Sequence, residues 1–317
     1  VYLRILVSFA LLLVLMTGCS NAMGQGNIHK VGMLVEHTVH DQVWGQKGYK
    51  GLLDIKDELK VDVYFKQHIQ SKQSAQKAIE EFAQEGVNLI FGHGSSFGKY
   101  FDQLQSQYPD IQFVYFNGSI HGENITSLNF NAHAMGFFGG MVAAGMSQTD
   151  NVGIIAAYEW QPEIEGFYEG ALYQNPDADV HIQYVNSWDN TSRAKMMFNQ
   201  MKIDDVDTFY PAGDGFNVPL MKSIKESDLQ AIGYVSDQSN FGDATVLTST
   251  VQHVDKLYLL AAKQFNNGEL PNDVLTFDFQ DEAISLGDFS STVPEGFKKK
   301  VKSAVEEYKE TGKLPNK

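Results

Sequence analysis

The sequence has little of several things, and each shortage excludes a class. It holds one cysteine in 317 residues, so no internal disulfide and no multi-cysteine zinc or iron–sulfur site can form. Basic residues are outnumbered, 24 against 39 acidic, for a formal charge of −15. Phosphate backbones and anionic lipid heads are bound by clustered Lys and Arg, so direct binding to nucleic acid is disfavoured. Only 8 residues are proline while 43% are hydrophobic, a balance that argues against disorder. A chain of this length exceeds what one hydrophobic core usually serves, so two domains are expected.

Long apolar runs are also scarce, and the one present sits beside the cysteine. Arg4 precedes an apolar stretch from Ile5 to Met16, broken only by Ser8, and Thr17-Gly18 lead into Cys19. At roughly 1.5 Å per residue that stretch reaches about 18 Å and cannot cross a hydrocarbon core of about 30 Å. It reads as the h-region of a signal peptide covering residues 1–18. Leu15-Met16-Thr17-Gly18-Cys19 resembles the bacterial lipobox, with Met16 at a position usually held by Leu or Val. The resemblance implies that Cys19 is diacylated and begins the mature chain, with residues 19–28 as lipidated cysteine and tether.

From Lys30 onward, short runs of Val, Ile, Phe and Tyr alternate with segments of helical period. Strands are predicted at 31–36, 61–66, 87–91, 112–116, 152–157, 181–186, 208–212, 231–235 and 246–251. Amphipathic helices are predicted at 41–60, 71–84, 97–107, 162–174, 191–202, 218–226 and 254–267; within the second, Ile79, Phe82 and Ala83 share a stripe. This alternation implies an α/β fold of two doubly wound, Rossmann-like lobes with parallel sheets. Lobe 1 is expected to comprise 29–130 with about 241–285, and lobe 2 131–240 with about 286–317, the chain crossing near Phe130 and Asn240. Ligands of open parallel sheets sit beyond the carboxyl ends of the strands. Two such sheets facing each other would place the site in the cleft between them.

After the first strand stands His40-Asp41-Gln42-Val43-Trp44-Gly45-Gln46-Lys47-Gly48-Tyr49-Lys50-Gly51-Leu52. It resembles the Asn-Asp-x-x-Phe-Asn-Gln-x-x-Tyr-x-Gly-Leu segment of the basic membrane lipoproteins, the purine-nucleoside-receptor type of ABC-transporter binding proteins. The likeness continues in order: Met135 to Ala144 as a small-residue helix, Glu165 to Ala171, Ser187-Trp188-Asp189, Ala231-Ile232-Gly233 through Asp237-Gln238, and Leu247-Thr248-Ser249. Tyr210 to Gly215 and Tyr234 to Ser239 resemble a branch described as regulating competence gene expression.

The resemblance implies a type I periplasmic-binding-protein architecture, with a purine base sandwiched between one aromatic ring from each lobe. Those rings would be Trp44 and Trp188; the alternative for each is packing into core. Asp41, Gln46, Asn117 and Asp237 would supply hydrogen bonds. Three positions depart from the family: Asn117 and Val235 stand for aspartates, and Gln252 for a ribose-contacting lysine. Valine can neither accept nor donate, and going without a charge-assisted hydrogen bond costs about 1.5–3 kcal/mol. Asp214, in a Gly-Asp-Gly stretch after a strand, is either a replacement carboxylate or a turn residue.

Gly94-Ser95-Ser96-Phe97-Gly98 matches G-x-S-x-G between a strand and a helix, the setting of a hydrolase nucleophile, with Asp237 and His253 as candidate partners. The alternative is a cleft-facing or helix-capping turn. No catalytic residue, cofactor or metal site is assigned: His37 and His40 are three apart but have no second cluster. The expected protein is a lipid-anchored, extracytoplasmic binder of a nucleoside-like molecule on a Gram-positive cell membrane, partnered by an ABC permease or a membrane signalling protein.

Overall fold

A computed structural model describes residues 26–40 and 43–317. The signal segment, Cys19 and Asp41 therefore lie outside the described residues. The chain runs β1 (Lys30–Val35), α1 (Val43–Leu59), β2 (Asp62–Lys66), α2 (Lys72–Gln84), β3 (Leu89–His93), α3 (Ser96–Leu104), β4 (Gln112–Phe116) and β5 (Ile125–Phe130). It continues through α4 (Ala132–Met146), β6 (Asn151–Ala156), α5 (Pro162–Gln174), β7 (Asp179–Tyr184), α6 (Thr191–Ile203), β8 (Thr208–Ala212), α7 (Asp214–Glu226), β9 (Gln230–Gly233) and β10 (Val246–Gln252). The last elements are α8 (Val254–Asn266), β11 (Val274–Phe277), β12 (Ile284–Leu286) and α9 (Glu295–Thr311).

The strands form two six-stranded sheets, ordered β11-β5-β4-β3-β1-β2 and β12-β10-β9-β8-β6-β7. Neighbours are parallel throughout, except that β12 runs antiparallel to β10. Strands β3, β4 and β8 are buried along their whole length, as expected of strands covered on both faces by helices. Local chemistry sets the ends: Ser71 and Ser74 form a capping box on α2, Pro162 opens α5, and Gly312 at φ +67 stops α9.

The expected domain division needs correction. Strand β10 pairs in parallel with β9, so the chain stays in the second sheet to Gln252 instead of crossing near Asn240. All seven residues of β10 are buried, and only an interior position in a covered sheet accommodates such a strand. The lobes are joined at Phe130–Asn131, at Gln252–His253, and between β11 and β12. Three side chains tie two of these crossings to α9. Asn131 Nδ2 donates to Asp278 Oδ2 at 2.6 Å and to the Tyr308 hydroxyl at 2.9 Å, while the Tyr308 hydroxyl donates to Asp278. Strands β5, β11 and β12 fall outside the predicted runs.

Helix α4 is buried along nearly its whole length and crosses α5 at backbone contact. A Cβ on Gly140 would lie 2.0 Å from the Phe167 carbonyl oxygen, and one on Gly170 would lie 1.8 Å from that of Phe137. Glycine spacing of four on each helix therefore lets the backbones meet, seating Glu163 at the start of α5 under the cleft.

Candidate functional site

The carboxyl ends of both sheets open on one cleft of about 540 Å³, lined from lobe 1 by residues after β1, β3, β4 and β5 and from lobe 2 by residues after β6, β7, β8 and β9. Trp44, Asn117, Trp188 and Asp214 all line it. Gln46 does not; it is exposed, and its Nε2 donates to the His40 carbonyl at 2.7 Å. Asp237 is turned away, accepting from the N–H groups of Ser239 and Asp288, each at 2.9 Å. Asp41 lies outside the described residues.

Trp44 is held from below. Its ring stacks on His93 with centroids 4.9 Å apart and meets Phe116 and Phe130 edge-on. His93 Nε2 lies 2.8 Å from the Trp44 carbonyl, which can only accept, so that nitrogen carries the proton. Nδ1 is then an acceptor for the Tyr258 hydroxyl at 3.0 Å. Burial lowers the His93 pKa to about 4, so the ring is neutral at physiological pH. Gly48 makes room for it, since a Cβ there would sit 2.4 Å from the imidazole.

Lobe 2 contributes an aromatic trio. Trp188 meets Tyr158 and Trp160 edge-on, and Tyr158 stacks on Trp160 at 5.6 Å. Trp160, which sequence reasoning missed, lines the cleft yet is 60% exposed. Tryptophan is seldom left that open, and its place after β6 was the available signal. Beside it lies buried Glu163, also missed, which accepts from Gln161 Nε2 at 2.8 Å and the Tyr234 hydroxyl at 3.0 Å. Burial pushes its carboxyl pKa up.

Asp214 resolves as the first residue of α7. Its Oδ1 accepts the main-chain N–H of Trp44 at 3.1 Å, a hydrogen bond between the lobes. Its Oδ2 is buried without a partner. Burial raises its pKa to about 6, opposed by the Trp44 N–H and by His37.

The departures also take shape. Asn117 adopts φ +60 at the cleft, and Val235 has φ +67, a left-handed conformation that costs a β-branched residue about 1–3 kcal/mol. Gln252 is buried, its carbonyl accepting from Lys47 Nζ at 2.7 Å.

The G-x-S-x-G stretch forms no triad. The Ser96 hydroxyl donates to the Glu36 carboxylate, whereas His253 Nε2 pairs with Ser285 at 2.9 Å. Ser95 stands at the cap position of α3 without a side-chain capping bond and lines the cleft.

A model of the Bmp family, described as the PnrA-like substrate-binding proteins of ABC transporters, matches residues 28–317. The chain belongs to the Bmp family. One Bmp relative, the transcriptional activator protein Med of Bacillus subtilis, is 46% identical over 312 residues, covering 98% of each chain. The crystal structure of a transcriptional activator of the comK gene from Bacillus halodurans is 49% identical, with a TM-score of 0.85 over 90% of this chain and 99% of that one. A purine-binding protein of Brucella abortus is 24% identical over 246 residues, 76% of this chain and 69% of its own.

Proposed function

We propose that this Bmp-family protein is a lipid-anchored, extracytoplasmic solute-binding protein that takes a nucleoside-like ligand in its interlobe cleft, for uptake through an ABC permease or for sensing. The observation that carries this reading is the gathering of Trp44 from lobe 1 and Trp188 from lobe 2 on one cleft, with hydrogen-bonding groups from both lobes around them. Stacking on an aromatic ring is worth about 1–3 kcal/mol per base. Asn117 and Asp214 are placed to meet polar edges of a ligand, and Ser95 and Gly94 offer a strand-end turn. Closure is a rotation of the lobes about the three crossings, with the Asp214–Trp44 bond forming as they meet. No catalytic residue, cofactor or metal is part of the reading.

A second reading is favoured by the likeness to Med and to the comK activator. In it the fold is retained, transport is absent, and the protein promotes competence gene expression indirectly through contacts with a membrane partner. The formal charge of −15 opposes direct DNA contact in that role.

Calorimetric titration of the purified protein with adenosine, guanosine and inosine separates the two. Micromolar or tighter binding supports solute capture; no heat and no thermal shift with any of them leaves the regulatory reading. The anchor is tested by Cys19→Ala, which should release the protein from membranes or stall its processing. A processed, membrane-bound Cys19→Ala protein would contradict lipidation at that residue.

A further inference from the structure

The described residues lining the cleft include three carboxylates, Glu36, Glu163 and Asp214, and neither a lysine nor an arginine. Asp214 stands between the two tryptophans. Its Oδ1 accepts the Trp44 N–H, and the N–H of the next residue, Gly215, donates to the Trp188 carbonyl at 2.9 Å. Its Oδ2 remains buried and unpartnered. A carboxylate oxygen in that condition is costly until a donor reaches it, a cost that the nearby His37 offsets only in part. Glu163 and Glu36 each have internal donors, from Gln161, Tyr234 and Ser96. Asp214 is thus the cleft acid with an oxygen left over.

The two tryptophans and Gln252 point the same way. Tryptophan, here at both stacking positions, attracts a cation over its face more strongly than phenylalanine does. Glutamine at position 252 removes the positive charge that the family resemblance would place against the ribose. Lys47, on the other side of Gln252, is held by its carbonyl. These features favour a positively charged ring over an anion, whereas Asn117 and Val235, where the resemblance would place aspartates, act in the opposite sense and leave Asp214 as the acid that decides the selection.

Resting on the nucleoside reading above, we propose that the cleft selects purine nucleosides whose base carries a fixed positive charge, such as those methylated on a ring nitrogen. The charged ring stacks on Trp44 and Trp188, and an N–H on its edge is donated to Asp214 Oδ2. A neutral parent nucleoside offers the same N–H without the charge, and a nucleotide adds negative charge facing three carboxylates.

The test is calorimetric titration of the purified protein at pH 7 with 1-methyladenosine, 7-methylguanosine, adenosine, guanosine and AMP. The methylated nucleosides should bind at least tenfold more tightly than their parents, and AMP more weakly than adenosine. Asp214→Asn, which keeps an acceptor for the Trp44 N–H, should bring the methylated-to-parent ratio close to one. Should that variant fail to fold, Asp214→Ser removes the same charge and should shrink the ratio likewise. Parents binding as tightly as methylated forms, or a ratio unmoved by Asp214→Asn, overturns charge selection and leaves the nucleoside reading standing. If no nucleoside binds but N-methylquinolinium does, in a manner that depends on Asp214, the nucleoside reading fails and selection for an aromatic cation stands. Absence of binding by every probe overturns both.

Discussion

Asp214→Asn changes the charge of the cleft at nearly constant volume, which makes its effect on stability calculable. Burial raises the Asp214 pKa from the ordinary 3.8 to about 6. The folded chain therefore holds this proton more tightly than the unfolded chain, and stability falls as pH rises through that window. Above the window the cost is complete. About two pKa units at about 1.36 kcal/mol each amount to about 3 kcal/mol. Asparagine is neutral at every pH and keeps an oxygen for the Trp44 N–H, but it buries an amide NH2 that takes back about 1–2 kcal/mol. The variant should therefore exceed the parent by about 1–2 kcal/mol at pH 7 and show no advantage at pH 4. Urea unfolding of both proteins, followed by circular dichroism at the two pH values, reads the difference directly; titrating groups that do not interact with Asp214 cancel between parent and variant, while the influence of His37 is already contained in the Asp214 pKa. A variant less stable than the parent at pH 7, or a difference that is the same at both pH values, refutes the reasoning.

Other consequences concern packing, the crossings and stacking. Gly170→Ala forces a Cβ to within 1.8 Å of the Phe137 carbonyl oxygen, and should cost about 1–3 kcal/mol, a drop of several degrees in thermal melting. Gly296→Ala, also within a helix but with nothing within 4 Å of its Cβ, should leave the melting temperature unchanged or slightly raised and serves as the control. Tyr308→Phe removes the hydroxyl that joins Asn131 to Asp278, and is expected to destabilise by about 1–3 kcal/mol in urea unfolding. Trp188→Ala should weaken nucleoside binding by about 1–3 kcal/mol in calorimetry while a folded melting transition is retained.

The parts of the fold legible in the sequence were those where apolar runs and periodicity are strong. Gln112–Phe116 and Thr208–Ala212 match β4 and β8 to the residue, and Pro162–Gln174 matches α5. Strand β5 escaped because Thr126, Ser127 and Asn129 interrupt its apolar residues. Its place is set by pairing with β4 and β11, not by its own composition. The crossing after Gln252 was misplaced for a similar reason: whether a buried strand such as β10 joins one sheet or the other depends on its partner, and β9 is fixed only in three dimensions. At the site, the rule that function collects beyond strand ends pointed to Trp44, Asn117, Trp188 and Asp214, all of which line the cleft. It failed for Asp237, because Val235 takes a left-handed conformation and the chain beyond it turns Asp237 onto Ser239 and Asp288. Trp160 and Glu163 belong to no motif that singled them out. Their relevance comes from the turn after β6 and from the glycine contacts that hold α5 against α4.

All three tryptophans of the chain, Trp44, Trp160 and Trp188, line the cleft, so intrinsic fluorescence reports on the central claim with no label. Titration of the purified protein with purine nucleosides, parent and ring-methylated, should quench tryptophan emission saturably in the micromolar range, with the greater part of the quenching abolished in Trp44→Phe combined with Trp188→Phe. Emission unchanged by any of them up to millimolar concentration would contradict a nucleoside-binding cleft.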